Sequence, residues 1–236
     1  MTRVAILGAT SAIAQEVARL YAAERASLFL VGRDEAKLAA VAADLRVRGA
    51  QQVETFLADL ALRERDEALA AAAGTPDVVL IAQGTLPEQT SLESDPRTQA
   101  AVFDLNATSV MVLAAHFANV LPPGGALCVI GSIAGDRGRR SNYVYGAAKA
   151  AIHAYCEGLR ARLVPKNVAV VLIKPGWVDT PMTARTKKNA LFASPESVGR
   201  TIKRAIESRR AVVYVPGYWR WISLVIRMLP ARMVKF

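Results

Sequence analysis

The chain has 236 residues, of which 53% are hydrophobic and 21% are charged, a composition that is typical of globular proteins and excludes intrinsic disorder. This length is sufficient for one large α/β domain with a complete hydrophobic core. The formal net charge of +10 favours anionic partners, such as a nucleotide phosphate, a phospholipid surface or a phosphorylated substrate.

Short apolar runs rich in β-branched residues alternate with alanine-rich amphipathic stretches along most of the chain. This alternation predicts a parallel sheet covered by helices on both faces. We expect an α/β fold, a single-domain Rossmann-type doubly wound sheet with seven strands in the order 3-2-1-4-5-6-7. The predicted strands are residues 4–7, 28–31, 53–57, 78–81, 126–130, 168–173 and 212–215. The predicted helices lie near residues 12–24, 35–48, 62–73, 97–120, 143–163 and 195–208.

The turn between the first strand and the first helix contains Gly8, which permits a tight change of direction. The helix that follows presents free N–H groups to a pyrophosphate. Ala12 and Ala14 stand where a nucleotide-binding loop usually has glycine, so a purely structural turn explains the segment nearly as well. The predicted cofactor contacts in this turn are Gly8, Thr10, Ser11, Ala12 and Ile13.

Arg33 stands at the end of the second predicted strand, where no Asp or Glu is present to accept a hydrogen bond from the 2′-hydroxyl of NAD. A guanidinium group suits a 2′-phosphate, because it can form paired, charge-assisted hydrogen bonds with it. The position therefore predicts NADP(H) as the cofactor. The alternative interpretation is a solvated surface arginine.

Tyr145 and Lys149 are four residues apart in a helical pattern, so they share one face of the helix, and Ser132 lies thirteen residues before Tyr145. A protonated lysine at ~4 Å, in a medium of effective dielectric constant about 20, favours the phenolate by roughly 4 kcal/mol. That energy corresponds to about three pKa units. We therefore expect a tyrosine pKa near neutrality and a site that delivers protons during hydride transfer.

A set of short motifs occurs in a fixed order along the chain, namely the Gly8 turn, Asp59-Leu60, Asn106, Ser132, Tyr145, Lys149 and Pro175-Gly176. This set resembles that of the short-chain dehydrogenase/reductase family over essentially the whole chain. The resemblance implies that Tyr145 donates a proton and that Ser132 positions the substrate carbonyl. It also implies that Lys149 holds the nicotinamide ribose and that Asn106 supports this lysine through a water bound to its backbone.

The same resemblance implies further contacts with NADP(H). Asp59 would contact the adenine, and Thr180 would bind the nicotinamide carboxamide. The chain departs from the family pattern in two places, because residues 81–84 read Ile-Ala-Gln-Gly instead of Asn-Asn-Ala-Gly, and the first loop keeps one of three glycines. The other implied contacts are Leu60, Gln83, Gly84, Pro175, Gly176 and Val178, in addition to Tyr145 and Lys149.

Three blocks carry a closer resemblance, namely residues 6–11, residues 131–146 and the tail from residue 215. They are similar to blocks of the decaprenylphosphoryl-2-keto-erythro-pentose reductases of mycobacterial arabinan biosynthesis and their bacterial relatives. This similarity implies reduction of the 2-keto group of a polyprenyl-phosphoryl sugar in cell wall biosynthesis. One alternative is a reductase or dehydrogenase of a soluble ketone, a 3-oxoacyl thioester or a hydrophobic alcohol. Another is a non-catalytic NADP-binding partner of a membrane sugar-lipid enzyme.

Residues 1–215 form the predicted NADP-binding catalytic domain, and residues 216–236 form a C-terminal apolar extension. In this extension residues 218–229 are almost wholly apolar, with Arg220 and Arg227 on one helical stripe. Twelve helical residues span about 18 Å, which is too short for a hydrocarbon core of ~30 Å. Residues 218–236 are therefore interpreted either as a helix in the membrane interface or as a helix packed on the domain or a second subunit.

Basic residues follow two of the motifs, and we hypothesise that they bind a substrate phosphate. The alternative is a solvated, charged loop. These residues are Arg137, Arg139 and Arg140 after Ser132, and Arg185, Lys187 and Lys188 after Thr180.

Other partner classes are not expected. No familiar nucleic-acid-binding motif occurs, and aromatic residues are not interleaved with basic ones. Cys128 and Cys156 lack metal-ligand spacing, and His116 and His153 lie in helical patterns, so no metal site is predicted.

The first residues do not resemble a signal peptide, so we expect a cytoplasmic protein. If the C-terminal helix binds lipid, the protein would lie at the inner face of the cell membrane. The family resemblance implies a homodimer or homotetramer whose subunits pair through the helices that carry Asn106 and Tyr145.

Overall fold

Seven parallel strands form one sheet in the order β3-β2-β1-β4-β5-β6-β7, which confirms the predicted topology. The computed structural model describes residues 2–230, so the last part of the predicted C-terminal extension, 231–236, lies outside the described residues. The strands are β1 (Arg3–Leu7), β2 (Ser27–Gly32), β3 (Gln52–Leu57), β4 (Val78–Ile81), β5 (Ala126–Ile130), β6 (Ala169–Pro175) and β7 (Val212–Val215).

Helices connect the strands close to the predicted positions, and the short helix α4 is an addition that the sequence pattern did not predict. The predicted helix at 62–73 begins instead with a separate 3-10 turn over Arg63–Arg65. The helices are α1 (Ala12–Ala23), α2 (Glu35–Val47), α3 (Asp66–Ala73), α4 (Gln89–Glu93), α5 (Pro96–Phe103), α6 (Ser109–Val120), α7 (Tyr143–Leu163), α8 (Pro195–Glu207) and α9 (Trp219–Met228).

Both faces of the sheet are covered, because successive side chains of each strand point to opposite faces. In β1, Val4 and Ile6 are buried in a core shared with α1, α2 and α8. Ala5 and Leu7 are buried on the other face, in a core shared with α3, α6 and α7. The continuous apolar strands in the sequence are explained by this burial on both sides.

The predicted continuous helix at 97–120 is interrupted. A π-helical segment, Asp104–Thr108, separates α5 from α6. The combined helix Pro96–Val120 is long and apolar enough to cross a membrane by length and composition alone, with 44% of its most apolar part buried. Leu113 and Phe117 of this helix are fully buried against the sheet, so much of its hydrophobicity belongs to the core.

Helix α9 packs on the domain through one side only. Trp219 and Ser223 are buried, and the helix contacts β7 and the 3-10 turn Ile133–Asp136. The opposite side carries four exposed apolar side chains at helical spacing, so they form one stripe. We call them the α9 stripe: Trp221 (64% exposed), Leu224 (45%), Val225 (59%) and Met228 (77%).

Candidate active site

A cleft of about 410 Å³ opens at the carboxyl ends of β1, β4, β5 and β6. It contains nearly all of the residues that the sequence predicted for the site. Asn106 is the exception, since it lies behind the cleft wall. The predicted residues that line the cleft are Gly8, Thr10, Ser11, Ala12, Ile13, Arg33, Asp59, Leu60, Gln83, Gly84, Ser132, Tyr145, Lys149, Pro175, Gly176, Val178 and Thr180.

The turn after β1 packs closely against the backbone at the end of β4. Gly8 has φ +78°, and a Cβ at this position would lie 2.7 Å from the backbone N of Gln83, so a side chain would be both strained and obstructed. Ser11 is the N-cap residue of α1, but its side chain makes no capping hydrogen bond. The first N–H groups of α1 therefore remain available at the cleft, which suits an anionic group such as a pyrophosphate.

Arg33 lies at the β2 end of the cleft, where its guanidinium pairs with Asp59 at 3.5 Å. The arginine side chain is 71% exposed, so it is free to reorient toward a ligand. Asp59 also accepts a hydrogen bond from the backbone N of Ala61 at 3.0 Å, which fixes the carboxylate beside the strand end. This end of the cleft thus presents one mobile cation next to one positioned carboxylate.

Ser132, Tyr145 and Lys149 converge at the other end of the cleft. Lys149 Nζ donates a hydrogen bond to the carbonyl O of Ile130 at 3.0 Å and lies 5.6 Å from the centroid of the Tyr145 ring. Ser132 caps the 3-10 turn that follows it, because its Oγ accepts a hydrogen bond from the backbone N of Ala134 at 3.1 Å. Lys149 is therefore held by the end of β5, and Ser132 by the 3-10 turn that follows it.

The expected lowering of the tyrosine pKa is wrong for this structure. Burial raises the pKa of Tyr145 to about 12, and a hydrogen bond with Ser132 opposes this by a smaller amount. Burial also lowers the pKa of Lys149 from 10.5 to about 8. The reason is geometric: the ammonium group lies over the ring and bonds to Ile130, so desolvation of both groups outweighs their mutual attraction.

Asn106 is fully buried and acts on the loop after β4 rather than on the cleft. Its Oδ1 accepts a hydrogen bond from the backbone N of Thr85 at 3.1 Å, and its Nδ2 donates to the carbonyl O of Thr85 at 3.0 Å. Nδ2 also donates to the carbonyl O of Val102, one turn earlier. The π-helical segment thus places an amide side chain where it fixes the wall that carries Gly84.

A buried polar network lies behind Ser132. Asp136 accepts hydrogen bonds from Lys174 Nζ at 2.5 Å and from the Tyr214 hydroxyl at 2.9 Å. His153 Nδ1 is 3.6 Å from the same carboxylate, and burial together with the Lys174 charge holds the pKa of this histidine well below its usual range. The network ties the turn after Ser132 to β6, β7 and α7.

The cleft is also lined by residues that the sequence did not single out, including Asn142, Trp177 and Met182. An Asn two residues after a run of arginines resembles an ordinary helix cap, so its pattern gave no signal of a site. Of the six basic residues that were considered for phosphate binding, only Arg139 lines the cleft.

Helix α9 packs against the loop after β6 through Trp219. Its indole packs edge-to-face on Trp177, with ring centroids 5.7 Å apart. Gly176 lies directly beneath this indole, and a Cβ at position 176 would collide with it. Since Gly176 and Trp177 line the cleft, α9 forms an outer support of the loop after β6.

Comparison with known proteins places this architecture in a family. Residues 2–191 match the family described as short chain dehydrogenase. The chain belongs to the short-chain dehydrogenase family.

Relatives and solved structures of this family cover almost the whole chain. An uncharacterized oxidoreductase of Mycobacterium tuberculosis is 34% identical over 233 residues, which is 96% of this chain and 93% of that protein. A crystallised short chain dehydrogenase/reductase family protein superimposes with a TM-score of 0.80 at 26% identity and covers 90% of this chain and 94% of its own. A protein named BdcA, crystallised in complex with NADPH, superimposes with a TM-score of 0.78 at 20% identity and covers 90% of this chain and 91% of its own.

In this short-chain dehydrogenase the buried phenol of Tyr145 retains its proton at neutral pH, because its pKa is about 12. A protonated phenol can donate a hydrogen bond, and then a proton, to an oxygen atom placed beside it. Ser132 adds a hydroxyl at the same point of the cleft. The arrangement is chemically suited to hold and protonate a carbonyl oxygen.

The free energy of unfolding should depend on pH through the buried amine of Lys149. A lysine whose pKa falls on folding binds fewer protons in the folded than in the unfolded state, so the free energy of unfolding rises as pH increases from about 8. Between pH 7 and pH 9 this contribution amounts to about 1 kcal/mol. Lys149→Met lacks this amine, so we expect the free energy of unfolding of wild type to rise by that amount relative to that of the mutant between pH 7 and pH 9.

Urea unfolding of both proteins at pH 7, 8 and 9 measures this difference, in which the titration of other groups cancels. Lys166→Met, at an exposed position, is the matched control and should show no such trend. A constant difference between Lys149→Met and wild type over this range would contradict the shift.

Proposed function

We propose that this short-chain dehydrogenase is an NADPH-dependent reductase of a ketone, with Asn106, Ser132, Tyr145 and Lys149 as its catalytic set. The observation that carries the proposal is the buried, protonated Tyr145 beside Ser132, at one end of a cleft whose other end is a dinucleotide-type turn. A proton donor adjoining a nucleotide site is the arrangement that carbonyl reduction by hydride transfer requires.

The cofactor proposal rests on features at both ends of the cleft. The uncapped start of α1 suits a pyrophosphate, and the exposed Arg33 suits a 2′-phosphate. NADPH is bound in the crystal structure of the neighbour BdcA, which has the same fold. The residues proposed to hold NADP(H) are Gly8, Thr10, Ser11, Ala12, Ile13, Arg33, Asp59, Leu60, Gln83, Gly84, Tyr145, Lys149, Pro175, Gly176, Val178 and Thr180.

Bound NADPH supplies a hydride to the carbonyl carbon. Ser132 and Tyr145 hold the carbonyl oxygen, and Tyr145 transfers its phenolic proton to that oxygen as negative charge develops there. Lys149, with a pKa of about 8, exchanges protons readily near neutral pH and can return a proton to the phenolate. Asn106 fixes the loop that carries Gly84 and so maintains the space beside Lys149.

We propose a polyprenyl-phosphoryl keto-sugar as the substrate, with a role in cell wall biosynthesis. Support comes from the three sequence blocks that are similar to decaprenylphosphoryl-2-keto-erythro-pentose reductases. It also comes from the juxtaposition of Arg139 inside the cleft with the apolar α9 stripe outside it. A lipid-linked sugar phosphate has an anionic part and an apolar part that correspond to these two features.

We propose that residues 218–236 bind the surface of an anionic membrane while α9 remains docked on the catalytic domain. The α9 stripe is apolar, and Arg220 and Arg227 are exposed on the same helix. Apolar side chains flanked by arginine are typical of helices that lie in the membrane interface. The protein would then work in the cytoplasm, at the inner face of the cell membrane.

We further propose that the protein is a homodimer or homotetramer. The helix Pro96–Val120 and helix α7 both keep outward-facing apolar side chains, among them Phe103, Val120 and Tyr155. Pairing of these helices between subunits would cover such side chains.

Tyr145→Phe tests the reductase proposal. The substitution removes the proton donor and keeps the ring, so we expect NADPH oxidation with a polyprenyl-phosphoryl 2-keto-pentose to fall about 10²- to 10⁴-fold. Tyr143→Phe is the matched control, since this phenol is 41% exposed and lies outside the cleft lining, and it should leave turnover unchanged. A panel of soluble ketones measured alongside identifies a different substrate, and full activity of Tyr145→Phe would refute the catalytic role.

Arg33→Ala tests the cofactor preference. Loss of a charge-assisted contact with the 2′-phosphate should weaken NADPH binding about 10- to 100-fold and leave NADH binding unchanged. Fluorescence titration gives both dissociation constants. Arg65→Ala is the control, because Arg65 lies near the end of β3 but outside the cleft lining. Equal affinities of Arg33→Ala and wild type for NADPH would show that Arg33 is a surface residue.

The double substitution Trp221→Ser and Val225→Ser tests the membrane proposal. It removes two large members of the α9 stripe, so flotation with vesicles of anionic phospholipid should be lost. Val47→Ser on α2, at a position that is 89% exposed, should float as wild type does. If the double variant floats as well as wild type, α9 does not bind the membrane. If the substitutions instead change the oligomeric state of the protein, the α9 stripe is a contact between subunits.

A further inference from the structure

We propose that Arg139 and Asn142 form a substrate subsite beside Tyr145 that binds a phosphate oxygen through the arginine and a sugar hydroxyl through the asparagine. This inference rests on the proposed reductase function and specifies its substrate class as a phosphorylated keto-sugar, whether lipid-linked or free.

Both residues lie in the loop between the 3-10 turn Ile133–Asp136 and the start of α7, and both line the cleft together with Tyr145. This loop is short and anchored at its two ends. Asp136 is fixed by Lys174 and Tyr214, and the backbone N of Asn142 donates to the carbonyl O of Arg139 at 3.2 Å. The two side chains are therefore presented to the cleft from a supported backbone.

Each side chain has a buried polar atom that lacks a hydrogen-bond partner among residues 2–230. These atoms are Nε of Arg139, a donor, and Oδ1 of Asn142, an acceptor. Buried polar groups in folded proteins are nearly always paired, so two unpaired groups on residues that line a cleft indicate that a ligand completes them. Burial also lowers the pKa of Arg139, although nearby Asp136 opposes this, and an arginine stays charged.

The side chain of Asn142 supports the same conclusion, because it does not cap the helix that it precedes. It occupies the N-cap position of α7, where asparagine is strongly favoured because its side chain accepts a hydrogen bond from the helix N-terminus. Here the side chain makes no capping hydrogen bond and lies at the cleft instead. An acceptor that forgoes capping is available to a substrate hydroxyl.

The other five basic residues that were considered for phosphate binding lie outside the cleft lining. Arg137 Nη2 donates to the carbonyl O of Leu229 at 3.2 Å, which links this arginine to the end of α9. Arg185 pairs with Glu88 at 2.7 Å. Lys188 pairs with Asp179 at 2.7 Å. Of the six basic residues considered for phosphate binding, Arg139 is therefore the one that can contact a phosphate in the cleft.

The charged donor of Arg139 and the neutral acceptor of Asn142 favour a ligand that carries both an anionic group and a hydroxyl. A phosphate oxygen satisfies Arg139, and a hydroxyl satisfies Asn142. An apolar ketone would satisfy neither group and would leave both buried atoms unpaired, which a site of this kind rejects. The pair therefore favours hydroxylated, phosphorylated ketones over simple ones.

The test compares ribulose 5-phosphate, ribulose and a polyprenyl-phosphoryl 2-keto-pentose as substrates in NADPH oxidation. Arg139→Met should lower kcat/KM for both phosphorylated substrates about 10- to 100-fold and leave ribulose unchanged. Arg139→Lys, which keeps the charge, should recover part of the loss. Arg140→Met, a neighbouring exposed arginine outside the cleft lining, should behave as wild type. An effect on the polyprenyl substrate alone would identify the lipid-linked phosphate as the ligand.

Equal losses for ribulose and ribulose 5-phosphate in Arg139→Met would show that Arg139 only maintains the loop, and no loss for either would place the phosphate elsewhere. Asn142→Leu should lower kcat/KM for all hydroxylated ketones but not for acetone. An equal loss of kcat/KM with acetone would overturn the proposed role of Asn142. If wild type reduces none of these compounds, the proposed function fails on its own. Calorimetric binding of ribulose 5-phosphate to wild type and Arg139→Met, with NADP⁺ present, then still decides the subsite, since only wild type should bind.

Discussion

All seven strands run in the same direction, and this single constraint determines where chemistry can occur. Both faces of such a sheet must be covered by helices, so its strands are apolar and polar side chains collect beyond their carboxyl ends. The connections from β1 and β4 leave toward opposite faces, which opens a crevice between them. Gly8, Ser132 and Gly176 each follow a strand end, and each lines the resulting cleft.

Exclusion of water then sets the chemical state of the groups in that cleft. The same burial that keeps the proton on Tyr145 makes Lys149 easier to deprotonate. The two pKa values therefore shift in opposite directions, that of Tyr145 upward and that of Lys149 downward. Tertiary hydrogen bonds also support the structure around these groups. Lys149 is hydrogen-bonded to Ile130 and Asn106 to Thr85, so this end of the cleft depends on the sheet edge and on the loop after β4.

The strand order could be predicted from the alternation of apolar runs with helical patterns, taken together with the general doubly wound arrangement. The Gly8 turn and the pair of Tyr145 and Lys149 could be predicted from local patterns, whereas most other cleft residues were implied only by the family resemblance. Other features depend on contacts that sequence spacing does not contain. The π-helical segment around Asn106 needs the Thr85 backbone as its partner, and the raised pKa of Tyr145 reflects desolvation from all sides. The spacing of Tyr145 and Lys149 placed them on one face but did not reveal that the amine bonds to Ile130.

The contact between Gly176 and Trp219 joins two segments that are more than forty residues apart in the chain. Because the indole occupies the space that a β-carbon at position 176 would need, Gly176 cannot be exchanged for a larger residue unless Trp219 moves or is replaced. Natural variants of this protein should therefore change the two positions together, with any larger residue at 176 accompanied by a smaller one at 219. The C-terminal helix and the loop after β6 are in this sense constrained to evolve as one unit.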